Sequence, residues 1–133
     1  MVKALVVEDE EDIRHLLVEQ LEDKGYQVRK AGNGAVALQQ VKEEMPDIIF
    51  VDILMPVMDG LHFVSELREN PETSWIPVVL VTGIGLTGVM GWARDLGIKH
   101  LLAKPWELKS LDLMLNQALI PRDREWEIPA LES

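Results

Sequence analysis

The chain has 133 residues, 47% apolar and 27% charged, the size and mix of one soluble domain that buries a single core. Lysine and arginine number 13 against 23 aspartates and glutamates, and the resulting charge of −10 argues against nucleic acid or an anionic membrane surface as the main partner. With no cysteine there is no disulfide framework, thiolate metal site or thiol nucleophile, which suits a reducing cytoplasm.

No apolar run approaches the ~20 residues of a membrane span, and the N-terminus turns acidic by Glu8, unlike a signal peptide. Short β-rich runs then alternate with helical patterns from end to end, the rhythm of βα units around a parallel sheet. A strand over 4–7 leads into a helix from about 11 to 24, where Ile13, Leu16, Leu17 and Leu21 recur at helical spacing and Gly25 supplies a stop. The second strand, 27–31, mixes polar with apolar residues, as an edge strand does. A helix over 35–44 turns Leu38, Val41 and Met45 inward and ends ahead of Pro46.

The third strand, 48–51, is continuously apolar, as expected where both sheet faces are covered. A helix over 61–69 presents Leu61, Val64 and Leu67, and 70–77 reads as an exposed, turn-forming loop. After a fourth strand over 78–81, the next helix is the weakest: Gly83, Gly85, Gly88 and Gly91 surround Leu86, Val89, Met90 and Trp92. Each interior glycine costs ~1 kcal/mol relative to alanine, which predicts a short or mobile helix. Met90 is assigned to the core. A fifth strand over 101–103 precedes a last helix, 107–119, that carries Leu108, Leu111, Leu115 and Leu119 and stops at Pro121. One domain over 1–120 results, with 121–133 as a tail or the start of a linker.

Ligands of a parallel α/β sheet collect at the carboxyl ends of its strands. There the first strand delivers Glu8-Asp9-Glu10, the third Asp52, the fourth Thr82 and the fifth Lys104-Pro105. Glu8, Asp9 and Asp52 at one edge repel each other unless a cation sits among them or some are protonated. An all-oxygen site of this kind suits a hard divalent ion, with Mg²⁺ the abundant candidate, and an anionic substrate to complete its coordination. Phosphate fits: Lys104 and the Thr82 hydroxyl would orient phosphoryl oxygens, and Asp52 remains as a nucleophile able to form an acyl phosphate.

Four segments in this order and spacing carry a resemblance: Val6-Val7-Glu8-Asp9-Glu10, the run from Val51-Asp52 to Asp59-Gly60, Pro77 to Gly83, and Lys104-Pro105. Over residues 3–119 the chain resembles the receiver domain of two-component response regulators, of the stand-alone chemotaxis type. The resemblance implies a doubly wound, flavodoxin-like (βα)5 three-layer sandwich with sheet order 2-1-3-4-5. It implies that Asp52 takes a phosphoryl group from a histidine kinase or histidine phosphotransfer protein, and that Asp9, Asp52 and the Leu54 carbonyl bind Mg²⁺, with Glu8 acting through water. Thr82 and Lys104 become the switch residues, the Lys104–Pro105 peptide is cis, and the surface of helix four, strand five and helix five carries the output, including any homodimer.

Some positions depart from that pattern. Leu101 stands where an aromatic switch is common, and Trp106 follows Pro105 where phenylalanine is commoner, adding apolar area near the output face. Leu54 and Ile84, two residues beyond Asp52 and Thr82, cannot hydrogen-bond an attacking water, which predicts a long-lived acyl phosphate. Leu54 also argues against a small-molecule phosphatase, which needs a second acid there. A receiver-like module that signals by contact alone is the other alternative. Asp59-Gly60 reads as a turn and helix cap, and His15, His62 and His100 lack metal-ligand spacing. Gly83-Ile84-Gly85-Leu86-Thr87-Gly88 fits a dinucleotide fingerprint but follows the fourth strand, and no acid lies ~20 residues on.

Overall fold

Five parallel strands pair in the order β2-β1-β3-β4-β5. They are β1 (Lys3–Val7), β2 (Gln27–Ala31), β3 (Ile48–Val51), β4 (Val78–Thr82) and β5 (His100–Ala103), and the helices α1 (Glu11–Asp23), α2 (Gly34–Glu43), α3 (Gly60–Glu69), α4 (Leu86–Asp95) and α5 (Leu108–Ala118) alternate with them. The computed structural model describes residues 1–83 and 86–119, with the side chains of 86–89 excepted. The predicted tail at 121–133, Ile84 and Gly85 lie outside the described residues.

Two cores flank the sheet. Leu5, Val7, Ile49, Val51, Val78 and Leu80 meet Ala37, Val41, Phe63, Val64 and Leu67 of α2 and α3, with Ala93 of α4. On the other face Val6, Phe50, Val79 and Val81 meet Leu17, Leu21, Leu111 and Leu115 of α1 and α5. Alternation along each strand sends successive residues to opposite cores, so the central strands read as unbroken apolar runs. β2 is an edge strand, as its polar residues predict, with Gln27 and Lys30 exposed.

Caps fix where the helices start. Asn33 accepts a hydrogen bond from the Val36 amide at 3.0 Å, and Asp59 does the same for His62 at 2.8 Å. Gly25, at φ +87°, ends α1, and Gly97, at φ +68°, follows α4.

Several expectations need correction. The buried stripe of α1 runs through Leu17 and Leu21, so Leu16, about 100° around the helix, is exposed; Met45, Leu108 and Met90 are exposed too. Helix α4 is as long as α2 and α3, at ten residues, because Ala93 and Ile98 anchor it in the core against the glycine cost. The loop over 70–77 is not wholly exposed: Ile76 is buried, and so is Thr73, whose hydroxyl donates to the Leu67 carbonyl at 2.7 Å. Trp106 packs with the α1 and α5 core instead of enlarging the output face, and its Nε1 donates to Gln20 Oε1 at 2.8 Å.

Candidate functional site

Strand register brings the predicted residues to one edge. The Glu8 amide donates to the Ala31 carbonyl at 3.0 Å, the Asp52 amide to Val7 at 3.1 Å and the Lys104 amide to Thr82 at 3.0 Å. Backbone ladders, laid down by apolar strands, thus position three of the polar groups before any side chain acts. The Lys104–Pro105 peptide is cis. Gly60 is required by close approach, since a Cβ there would fall 1.9 Å from the Asp52 carbonyl oxygen.

Asp52 is buried and held at both oxygens: Oδ1 accepts from the Ile53 amide at 2.7 Å, and Oδ2 accepts from Lys104 Nζ at 2.9 Å. The same ammonium lies 2.6 Å from Glu8 Oε1 and 3.6 Å from Glu10 Oε1. Glu8 Oε1 is buried and accepts no hydrogen bond, the ammonium standing close to it but off the bonding direction. Burial pushes the Glu8 carboxyl up from 4.5 to about 7, reinforced by the Asp52 charge and opposed by Lys104 and the Glu10 amide. Burial works against the Lys104 charge, but the neighbouring Glu8 and Asp52 carboxylates more than offset it, so its pKa is raised.

Thr82, at the end of β4, is buried. Leu54 is 66% exposed, as is suited to a residue flanking an open site. Asp9 is exposed, and the carboxylates that gather within 4.8 Å of one another are those of Glu8, Glu10 and Asp52, the one such group among the described residues. Glu10 was not expected. Its signal was its place in the acidic run Glu8-Asp9-Glu10 that follows the first strand.

One ammonium against three carboxylates leaves excess negative charge, and the unbonded Glu8 oxygen adds a buried acceptor. Both fit a hard divalent cation with oxygen ligands. The arrangement can place a cation and a lysine around an anion that meets Asp52.

Comparison with known families matches residues 4–116 to the response regulator receiver domain. Protein PilH of Pseudomonas aeruginosa is 33% identical over 119 residues, covering 90% of this chain and 98% of PilH. Response regulator Rre1 of Synechocystis is 31% identical over 119 residues, 89% of this chain but 52% of Rre1. The chain likewise spans about half the length of several other curated relatives. Among solved structures, chemotaxis protein CheY4 of Vibrio cholerae superposes with a TM-score of 0.85 at 30% identity, covering 90% of this chain and 99% of that one. The family match spans the sheet and both cores that flank it, and the chain belongs to the response regulator receiver family.

Proposed function

We propose that this receiver is a phosphoacceptor in two-component signalling, with Asp52 as the residue modified. The observation that carries the reading is the environment of Asp52. One of its oxygens is bound by a backbone amide and the other by Lys104, so the carboxylate is oriented and a cation waits beside the attacked phosphorus. A histidine kinase or histidine phosphotransfer protein presents phosphohistidine, and an Asp52 oxygen forms the new P–O bond as the P–N bond breaks and the imidazole leaves with the pair. Lys104 turns from carboxylate to phosphoryl oxygen, and the Thr82 hydroxyl takes another. Asp9, Asp52 and the Leu54 carbonyl, with Glu8 through water, would hold Mg²⁺, which supplies neutralisation of charge on the transferring group.

The chain catalyses only its own phosphorylation and dephosphorylation. Leu54 offers no hydrogen bond to an attacking water, which supports a long-lived acyl phosphate. Output passes through the face of α4, β5 and α5 to a partner or a second copy. Met90 is exposed there at 47%, and a cleft of about 300 Å³ opens beside Met90, Ala93, Ile98 and Leu101. The reaction setting is the cytoplasm, in keeping with a cysteine-free chain.

The test is labelling by a small phosphodonor with Mg²⁺. Acid-labile phosphate is expected on the wild type, decaying slowly, and none on Asp52→Asn. Equal labelling of both proteins would move the phosphoacceptor away from Asp52, and absence of label on the folded wild type would leave the contact-only module as the better account.

A further inference from the structure

Glu10 is the acid at this edge that the role of Asp52 leaves unused. Its Oε1 lies 3.6 Å from Lys104 Nζ, and its carboxylate belongs to the 4.8 Å group with Glu8 and Asp52. Yet its side chain is 63% exposed where that of Glu8 is 3%. It is therefore the outermost charge of the group, standing between solvent and the Lys104–Asp52 pair. Deeper in the group, Glu8 Oε1 already has the Lys104 ammonium 2.6 Å away, so Glu8 and Asp52 hold that cation and Glu10 is left facing outward. Whatever Lys104 and a metal ion neutralise deeper in the site, an arriving anion meets the exposed Glu10 charge on its way in.

Donors differ in how that charge affects them. A free acyl phosphate carries about two negative charges and approaches with no assistance from protein contacts. A phosphohistidine arrives on a macromolecule whose docking energy offsets local repulsion. Two unit charges against one, at a separation like the 4.8 Å of the group, repel in water strongly enough to slow encounter about tenfold at low ionic strength.

We propose that Glu10 is a donor-specificity residue, which repels free anionic phosphodonors and so reserves Asp52 for phosphohistidine carried by a docked protein. The inference rests on Asp52 being the phosphoacceptor. In the disfavoured reaction, an Asp52 oxygen bonds to phosphorus as the P–O bond to the acyl group breaks, and a carboxylate leaves with the electron pair. Glu10 makes and breaks no bond, and its effect is on approach.

The experiment measures initial labelling of the full chain at saturating Mg²⁺ with acetyl phosphate and with phosphoramidate, whose net charge is about half as large. Glu10→Gln is expected to speed labelling by acetyl phosphate about tenfold at low ionic strength, falling to about twofold at 1 M salt, and labelling by phosphoramidate about threefold. Glu10→Asp, which keeps the charge, should behave as the wild type. Equal acceleration with both donors, or a gain indifferent to salt, would show a change of shape instead of charge and overturn the proposal. Absence of label on wild type and variant alike, with both folded, would instead remove the phosphoacceptor reading, and this inference with it.

Discussion

Two cations sit at opposite ends of the sheet in different company. At the carboxyl end Lys104 faces Glu8, Asp52 and Glu10, all charged groups. At the amino end Arg68, from the last turn of α3, bonds among the described residues to backbone alone: Nε donates to Leu96 at 2.7 Å, and Nη1 to Ser74 at 3.0 Å and Ile76 at 2.8 Å. Burial lowers the Arg68 pKa, with no carboxylate among the described residues to restore it. Its donors are matched to fixed carbonyls that tie the α3–β4 loop to the end of α4, so the contact has no alternative partner to exchange for. Lys104 has three partners for one charge and is poised to exchange them. The first arrangement fastens a fold, and the second equips a site.

Breaking each cation separates the two roles. Lys104→Met should lower the rate of phosphorylation by small donors about 100-fold or more, the scale of losing one cationic stabiliser of a developing charge, read as initial rate at saturating Mg²⁺. A loss under tenfold would mean that Lys104 is not at the reacting group. Arg68→Met should instead cost about 2–4 kcal/mol of stability by leaving part-buried carbonyls unpaired, with the labelling rate kept at temperatures where the protein is folded. Denaturant unfolding reads the first effect, and an unchanged midpoint would contradict the fastening role.

The same contrast predicts a pH dependence. Glu8 in the folded chain titrates at about 7 against 4.5 ordinarily, so between those values the folded state holds a proton that the unfolded state has lost. Without divalent cations, stability therefore falls as pH rises from about 4.5 to 7, by at most about 3 kcal/mol. Glu8→Gln should flatten that slope. If urea midpoints at pH 5 and pH 7.5 differ as much in the variant as in the wild type, the slope belongs to other groups.

How much of this was legible in the sequence follows from the kind of signal each feature leaves. Apolar strands announce themselves, and strand ends named Glu8, Asp52, Thr82 and Lys104 because the edge of a parallel sheet is set by where its apolar runs stop. Helix faces were less legible: Leu16 and Leu17 are alike in composition, and only packing decides that Leu17 is inside. Glycine content misjudged the length of α4, since propensity counts local cost and not the anchoring of Ala93. Arg68 went unread because its partners are carbonyls, which every residue carries. Glu10 sat inside an acidic run whose members differ only in direction.

The smallest expected effect tests whether the site end also stores strain that the fastened end lacks. In the β3–α3 loop, Val57 has φ +68° and is 84% exposed, and the Met58 amide donates to the Pro56 carbonyl at 2.7 Å, closing a tight three-residue turn around it. A turn of this kind with positive φ is rare and strained, and a β-branched residue is among the least suited to it. Nothing in its side-chain exposure offsets the cost. Val57→Asn, which tolerates the left-handed region, should therefore raise stability by about 1 kcal/mol in denaturant unfolding, while labelling stays within about twofold of the wild type. A stabilised variant with unchanged labelling would place the strain in the loop and outside the chemistry. A stabilised variant that labels many times more slowly would show that the strained turn helps to present Asp52. Failure to stabilise would mean that the turn relaxes at no cost, so that the two ends differ in charge alone.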